Sequence, residues 1–300
     1  MKRLFSVYGD SISTFESMIP NGWNVFYTGK QLQITGVTSS DDTWWSQVIS
    51  HFDGELLANA SWSGSVVEGD EFPTGASDDR IGHLAPQGTS PDDILVHIGI
   101  NDYGWGSAQA QIRAGVISAP KNAVAACESL GEIAGMAPEN TVENFRESYT
   151  RMLKTMHSKW PDARIWASSL LSGRVKEQAK PTFPRHFRGI SFEEYNDAIA
   201  QAVDATPNCY FVDMANLGFD YEAADGTHPT AKGMRQLAAL FIKGMRNASP
   251  SIEDTPYEGE ALLTEDMRSA EFCTNPCVGC EHAKSTGNAW FHVCEKQLNK

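Results

Sequence analysis

The stretch Val7-Tyr8-Gly9-Asp10-Ser11-Ile12-Ser13 closes a short apolar run that begins at Leu4. The run predicts a buried β-strand, and the Gly-Asp-Ser after it predicts a tight turn. In an open α/β sheet, functional sites form just beyond the carboxyl ends of the strands, which is where Ser11 stands. The same tripeptide is also common in ordinary turns, so the rest of the chain has to decide its meaning.

Four further apolar segments predict strands, and helical patterns lie between most of them. The predicted strands cover residues 4–8, 55–60, 93–99, 164–170 and 209–213, and the predicted helices cover 44–52, 141–160, 191–205 and 230–247. Segment 93–99 is almost continuously apolar, as expected for a parallel strand covered on both faces. The alternation predicts an α/β fold with a doubly wound, five-stranded parallel sheet between two helix layers.

The composition is that of an ordinary globular protein with a small appendage. Of the 300 residues, 41% are hydrophobic and 21% charged, and the net charge is −14 without a basic stripe, which argues against a nucleic-acid partner. No apolar segment is long enough to span a membrane. The N-terminal apolar run is too short for a signal peptide, which predicts a cytoplasmic protein. The oligomeric state is not predicted.

The chain divides into three parts by composition. We predict a main domain over residues 1–248, which contains an insertion over 103–140 that is rich in Gly, Ala and Ser and could form a lid. An acidic linker is predicted over 249–270, with a short helix near 263–271. A small cysteine-rich module is predicted over 271–300.

Polar residues and glycines follow four of the predicted strands, at what should be one edge of the sheet. Ser11, Gly64 and Asn101 follow the first three, and Asp225 and His228 follow the fifth. Acyl transfer needs these residue types: His228 as a base for the Ser11 hydroxyl, and Asp225 to orient the imidazole. The backbone N–H groups of Ser11 and Gly64 and the side-chain amide of Asn101 would stabilise an oxyanion.

Each of these residues also has an ordinary structural interpretation. Gly64 suits a turn, Asn101 a loop or helix cap, and the Asp225–His228 pair a cap or a metal site. A metallohydrolase using Asp10, Asp225 and His228 is an alternative, although few further ligands are evident nearby. A non-catalytic glycan-binding module is another, which the joint presence of serine, asparagine, aspartate and histidine disfavours.

At these positions the chain resembles the SGNH/GDSL hydrolase family. The matching blocks are Gly9-Asp10-Ser11-Ile12, Gly64, Gly99-Ile100-Asn101-Asp102 and Asp225-Gly226-Thr227-His228-Pro229. The resemblance covers roughly residues 1–247. It implies a flavodoxin-like three-layer fold, a Ser11–His228–Asp225 catalytic triad and an oxyanion hole formed by Ser11, Gly64 and Asn101. It also implies a carboxylic ester hydrolase that needs no cofactor for catalysis.

The substrate is less well defined by the sequence. Members of this family hydrolyse carbohydrate acetyl esters, lysophospholipids, acyl-CoA thioesters and small aryl esters. Trp62, Tyr103 and Trp105 flank the predicted oxyanion residues and are candidates for substrate binding, although such rings also serve as core packing. We expect a small acyl group, such as acetyl on a carbohydrate, with a lysophospholipase or thioesterase as the alternative.

The C-terminal cysteines form a second motif. Their close spacing suits a tetrahedral structural Zn²⁺, which would supply the folding free energy of a segment too small for its own core. An iron–sulfur cluster and disulfides are alternatives, and a histidine could replace one thiolate. The residues concerned are Cys273, Cys277, Cys280 and Cys294, with His282 and His292.

Overall fold

A five-stranded sheet forms the centre of the molecule. The computed structural model describes residues 2–105, 142–171, 173–175, 186–187, 190–253, 255–269, 283–285 and 292–294. The strands, in chain order, are β1 (Leu4–Gly9), β2 (Glu55–Asn59), β3 (Asp93–His97), β4 (Arg164–Ser168), β5 (Gly173–Val175), β6 (His186–Phe187), β7 (Ile190–Ser191), β8 (Cys209–Val212), β9 (Tyr221–Ala223), β10 (Ala283–Ser285) and β11 (His292–Cys294).

The sheet has the strand order β2-β1-β3-β4-β8, and all neighbouring strands are parallel. The prediction of a five-stranded parallel sheet is therefore confirmed. Val7 pairs with Asn59 and Gly9 pairs with His97, so the first three strands end at nearly the same level. This register brings the segments that follow β1, β2 and β3 to one edge of the sheet.

Helices cover the sheet in two packed groups. They are α1 (Lys30–Thr35), α2 (Trp44–His51), α3 (Asp78–Gly82), α4 (Ile100–Trp105), α5 (Val142–Lys159), α6 (Phe192–Asp204) and α7 (Ala231–Ala248). Helix α2 packs with α7, and α5 packs with α6, which gives the predicted helix–sheet–helix layers. No helix in the described part of the chain combines the length and apolar character needed to cross a lipid bilayer.

The helix boundaries follow from side-chain caps that the sequence contains. In α6, the Ser191 hydroxyl accepts a hydrogen bond from the Glu194 N–H at 3.1 Å, and the Glu194 carboxylate accepts one from the Ser191 N–H at 2.9 Å. This reciprocal pair is a capping box, and it fixes the start of the helix predicted over 191–205. In α7, the Thr230 hydroxyl accepts from the Gly233 N–H at 3.1 Å. A Cβ on Gly233 would lie 1.8 Å from the Glu222 carbonyl oxygen, so only glycine lets α7 begin this close to β9.

Two segments differ from the sequence-based prediction. Residues 14–43, which lie outside all the predicted helices and strands, contain α1 and a 3₁₀ turn at Ser40–Asp42. The segment predicted as a linker contains 3₁₀ turns at Glu258–Leu262 and Glu265–Met267, and no helix spans 263–269. The insertion predicted over 103–140 begins within α4, and its remainder lies outside the described residues.

The segment 255–269 packs against the main domain, which the prediction of a linker did not anticipate. The Gln236 amide donates to the Leu262 carbonyl oxygen at 2.9 Å, and Arg246 pairs with Glu260 at 2.8 Å. Met267 is buried, with 5% of its surface exposed. These contacts make the segment part of the main domain's surface layer, because its polar bonds and apolar burial are both made with that domain.

Candidate active site

The turn after β1 presents Ser11 at the carboxyl edge of the sheet. Ser11 opens a 3₁₀ turn, Ser11–Ser13, and the Asp10 carboxylate caps this turn by accepting from the Ile12 N–H at 3.1 Å. A Cβ on Gly9 would lie 2.3 Å from the Ser13 hydroxyl and 2.8 Å from the His97 carbonyl oxygen. Glycine is therefore required at position 9 for the chain to turn so tightly.

The loop between β9 and α7 brings His228 to Ser11. One oxygen of Asp225 accepts from the backbone N–H groups of Thr227 and His228, at 3.0 and 2.9 Å, which folds the loop back on itself. The other oxygen lies 2.7 Å from His228 Nδ1. On the far side of the ring, His228 Nε2 lies 2.9 Å from Ser11 Oγ. The three side chains thus form one continuous hydrogen-bonded series.

The electrostatics of this series fix the histidine tautomer. Burial raises the pKa of Asp225, but the charge of His228 and the hydrogen bonds from His228 and Thr227 outweigh it and lower the pKa to about 2. Asp225 is therefore ionised at neutral pH and accepts the proton of Nδ1. Nε2 is left as the acceptor for the Ser11 hydroxyl, which is the arrangement that general-base activation requires.

Phe26 covers one face of the His228 ring, a contact that sequence reasoning missed. The two rings are 3.5 Å apart between centroids and inclined by only 6°. Tyr221 also supports the loop, since its hydroxyl donates to the Thr227 carbonyl oxygen at 2.7 Å. Phe26 lies in an irregular segment without apolar periodicity, so no local signal connects it to a residue some two hundred positions away.

The residues predicted to bind an oxyanion occupy neighbouring loops. Trp62 N–H donates to the Gly9 carbonyl oxygen at 3.1 Å, which ties the loop after β2 to the Ser11 turn. Gly64 in that loop has a φ of 84°, a conformation suited to glycine. The Asn101 side-chain amide donates one hydrogen to the Ser65 carbonyl oxygen at 3.0 Å. Hydrogen bonds of neighbouring residues therefore tie the loop that contains Gly64 to the Ser11 turn on one side and to Asn101 on the other.

The structure places the aromatic residues that were predicted to bind substrate in different environments. Tyr103 is completely buried and packs edge-on against Phe192 and Tyr195, with centroids 5.0 and 5.5 Å away. The burial of this ring favours the core-packing interpretation of Tyr103 over substrate binding. Trp105 ends α4, and its side chain lies outside the described residues.

Trp62, by contrast, lies in an aromatic surface cluster beside the candidate oxyanion loop. Its ring centroid is 5.5 Å from that of Trp23 and 4.9 Å from that of Phe72, and the Trp23 ring also meets His83 at 5.1 Å. Phe72 is 37% exposed. Such a surface is available to an apolar or ring-shaped part of a ligand.

Asp102 is a buried carboxylate next to Asn101. It accepts hydrogen bonds from the Val67 N–H, at 2.8 and 3.0 Å to its two oxygens, and from the Glu68 N–H at 3.1 Å. Burial raises its pKa to about 7, outweighing the lowering by those backbone donors. The carboxyl is therefore costly to ionise but well placed to hold the far end of the loop that contains Gly64.

We expect the free energy of unfolding of Asp102→Asn, taken relative to that of wild type, to increase as the pH rises from 4 to 7. An unfolded aspartate has a pKa of about 3.9, so in this window the folded chain holds a proton that the unfolded chain does not, and wild-type stability falls with rising pH. Asparagine has no such titration. The gain in the free energy of unfolding, at most about 4 kcal/mol, should level off above pH 7. Melting temperatures of both proteins across this range measure it, and a constant difference between them would contradict the expectation.

No metal cluster accompanies this site in the described ranges. Within them, no group of three or more His, Cys, Asp or Glu side chains is arranged to hold a metal ion. Asp10, the extra carboxylate considered for a metal site, is 1% exposed and caps the Ser11 turn. The side chains of the predicted zinc ligands lie outside the described residues: Cys273, Cys277, Cys280 and Cys294.

Fold and site together define a class of protein. A hydrogen-bonded series of serine, histidine and aspartate at the carboxyl edge of a doubly wound sheet is the arrangement found in serine hydrolases. A family model described as GDSL-like lipase/acylhydrolase matches residues 3–115, more than a third of the chain. Over these residues the chain is similar to the GDSL-like lipase/acylhydrolase family.

Solved structures share the fold. A protein from Bacteroides uniformis described as a GDSL-like lipase has a TM-score of 0.52 and 22% identity, with 82% of this chain and 96% of that chain covered. A similarly described protein from Bacteroides ovatus has a TM-score of 0.51 and 20% identity, with 82% and 99% covered. A family 2 carbohydrate esterase with a carbohydrate-binding domain, from Corynascus thermopiles (Myceliophthora fergusii), has a TM-score of 0.50 and 16% identity, with 83% and 67% covered. No curated protein matches the chain.

Proposed function

We propose that this protein hydrolyses carboxylic esters with Ser11 as nucleophile, His228 as general base and Asp225 as the group that orients the imidazole. One observation carries the proposal: Ser11 Oγ, His228 Nε2, His228 Nδ1 and Asp225 Oδ2 form an unbroken series with contacts of 2.9 and 2.7 Å. Both distances fall in the range of well-formed hydrogen bonds. No other side chain is needed to activate the serine.

In the proposed first step, Ser11 Oγ attacks the acyl carbonyl carbon while its proton moves to His228 Nε2. The carbonyl oxygen becomes an oxyanion, which the N–H groups of Ser11 and Gly64 and the amide of Asn101 would stabilise. The imidazolium then gives its proton to the leaving alcohol oxygen as the ester C–O bond breaks. The negative charge of Asp225 stabilises the imidazolium throughout this step.

In the second step, water replaces the alcohol. His228 Nε2 takes a proton from the water molecule while the water oxygen attacks the carbonyl carbon of the acyl-Ser11 ester. The resulting tetrahedral intermediate collapses, the acid leaves, and the proton returns to Ser11 Oγ. Acyl group, water and protons balance, so the cycle needs no cofactor.

We propose a small acyl ester of a carbohydrate, with acetyl as the acyl group, as the substrate class. The aromatic surface cluster of Trp23, Trp62, Phe72 and His83 supports it, because aromatic rings next to a nucleophile can pack against the flat face of a sugar. That one structural neighbour is a carbohydrate esterase agrees with this proposal. A lysophospholipase or thioesterase of the same family is the alternative.

The substrate proposal predicts the effect of Trp62→Ala. Wild type should hydrolyse p-nitrophenyl acetate and an acetylated glycoside faster than p-nitrophenyl dodecanoate. Trp62→Ala should lower kcat/KM by about tenfold for the glycoside, through loss of ring packing, and much less for the aryl acetate. Steady-state kinetics on the three esters measure both effects.

Ile34→Ala is the control, because Ile34 is an exposed apolar side chain in α1 with 59% of its surface accessible. It should change none of the three rates. An equal loss on both acetyl esters in Trp62→Ala would contradict the role of Trp62 in sugar binding. A preference for the dodecanoate would favour the lysophospholipase alternative. Binding of the glycoside without hydrolysis of any ester would favour a glycan-binding module.

We also propose that the C-terminal cysteines hold one structural Zn²⁺ and that the protein acts in the cytoplasm, where thiols stay reduced. We expect purified protein to contain about one zinc per chain, measured by elemental analysis. Removal by a chelator should leave Ser11-dependent hydrolysis in the main domain intact while the tail becomes sensitive to protease. Cys273→Ser should lower the zinc content, and unchanged content would contradict the proposal.

A further inference from the structure

Arg80 in α3 is a fully buried cation that makes no ion pair with a carboxylate in the described part of the chain. Its side chain is 0% exposed. Its Nε donates to the Ala60 carbonyl oxygen at 3.0 Å, and its Nη1 donates to Ser65 Oγ at 2.9 Å and to the Pro73 carbonyl oxygen at 3.0 Å. Its Nη2 donates to the Gly9 carbonyl oxygen.

The guanidinium is thus compensated by neutral oxygen atoms, not by an anion in contact with it. Burial lowers the pKa of Arg80, and the ring of Tyr8, 4.4 Å from the guanidinium carbon, adds a cation–π contact. A buried charge is costly unless its donors are satisfied. The planar fork of an arginine reaches several acceptors at once, which the single ammonium of a lysine cannot do.

The oxygen atoms that Arg80 binds lie beside the proposed oxyanion donors. Gly9 precedes Ser11 by two residues, and Ser65 directly follows Gly64. Ser65 also accepts a hydrogen bond from the Asn101 amide through its carbonyl oxygen, at 3.0 Å. Arg80 therefore connects the Ser11 turn with the loop that contains Gly64, and Ser65 in that loop in turn accepts from Asn101.

Asp102 holds the same loop from its other end. It accepts from the N–H groups of Val67 and Glu68, while Arg80 binds Ala60 and Ser65. The segment 60–68, which contains Gly64, is therefore bound by a buried cation at its beginning and middle and by a buried carboxyl at its end. Donors for an oxyanion act through such fixed placement, because they then need no reorganisation during the reaction.

We propose that Arg80 is a positioning residue of the oxyanion hole and that Asp102 assists it. This inference rests on the proposed function. Arg80 touches neither the substrate nor the reacting atoms; it sets the distance between the Ser11 turn and the loop that contains Gly64. Its loss should weaken binding of the transition state and leave binding of the substrate nearly unchanged.

Arg80→Lys tests the inference, with Arg174→Lys as a matched control. Arg174 is also a buried arginine, and it bonds both a carboxylate and the backbone: its Nη2 lies 2.8 Å from the Asp220 carboxylate and 2.9 Å from the Arg268 carbonyl oxygen. None of these partners belongs to the segments that carry Ser11, Gly64 or Asn101. Both variants should lose thermal stability. Only Arg80→Lys should lose kcat on p-nitrophenyl acetate, by about 10- to 100-fold, with KM within about twofold of wild type.

The inhibition constant of a trifluoromethyl ketone is a second measurement, and a purely structural role of Arg80 would leave it unchanged. Its adduct with Ser11 is a tetrahedral oxyanion, so its inhibition constant should rise in Arg80→Lys by the same factor as kcat falls. Ser65→Ala is a second variant that tests the inference if Arg80→Lys does not fold. It removes one hydrogen-bond acceptor of Arg80 and should lower kcat by about tenfold with KM unchanged.

The outcomes separate this inference from the proposed function. The proposed function stands if wild type hydrolyses esters and Ser11→Ala does not. The positioning role is nevertheless overturned if Arg80→Lys and Ser65→Ala have the same kcat and inhibition constant as Arg174→Lys, compared at equal folded fraction. If Ser11→Ala remains as active as wild type, the proposed function itself fails. A fall in kcat matched by the rise in inhibition constant, in the Arg80 and Ser65 variants alone, supports the inference.

Discussion

Ser11→Ala is expected to lower kcat for p-nitrophenyl acetate by about 10⁴- to 10⁶-fold while leaving the fold intact. Ser11 Oγ is the only atom removed, and its contact is with His228 Nε2 at 2.9 Å. The turn itself is held by backbone and by the Asp10 cap, so alanine fits the same conformation. Without Oγ no acyl-enzyme forms, and any residual rate comes from direct attack by water.

Ser61→Ala is the matched control for this prediction. Ser61 follows β2, is completely buried, and has a hydroxyl without a hydrogen-bond partner among the described residues. Its removal should leave the rate near that of wild type. Initial rates and circular dichroism of the two variants make the comparison. If Ser11→Ala retained wild-type activity, a nucleophile other than Ser11 would have to be sought.

Asp225→Asn is expected to give the second largest loss, about 10³- to 10⁴-fold in kcat. An asparagine oxygen can still accept from the N–H groups of Thr227 and His228, so the loop should keep its shape. The NH₂ group would then face His228 Nδ1, which could no longer donate. The ring proton would move to Nε2, and Nε2 could no longer accept the proton of Ser11.

Asp213→Asn is the control for the aspartate variant. Asp213 follows β8 and, like Asp225, caps a turn: its oxygen accepts from the Asn216 N–H at 3.2 Å. It has no contact with the histidine, so kcat should stay near that of wild type. Measurement of kcat at neutral pH decides the matter. Activity in Asp225→Asn equal to that in Asp213→Asn would show that the carboxylate does not orient His228.

The main features of the fold were predictable from the sequence because they have local causes. Strand β3 is buried along its whole length, and its three central residues, Ile94, Leu95 and Val96, are correspondingly apolar. The predicted helix starts at 191 and 230 lie within one residue of those of α6 and α7, where Ser191 and Thr230 act as side-chain caps. The predicted strand ends were enough to locate Ser11, Gly64 and Asn101 at one edge of the sheet, because this inference needs no information about side-chain contacts.

The features that the sequence did not predict depend on distant contacts. Phe26 meets His228, and Arg80 meets Gly9, Ala60 and Ser65, only once the sheet has brought their loops together. Tyr103 was a candidate for substrate binding because it lies two residues from Asn101, yet its ring is completely buried. Burial of a single side chain in a short helix follows from packing, which leaves no local sequence signal.

Covalent labelling of the serine tests the central claim most directly. The protein is treated with a fluorophosphonate, which reacts with activated serines, and the labelled site is located by peptide mapping and mass spectrometry. The account predicts one label, on Ser11, that disappears in Ser11→Ala and is strongly reduced in Asp225→Asn. A label on another residue, or ester hydrolysis that continues undiminished in a protein fully labelled at Ser11, would contradict it.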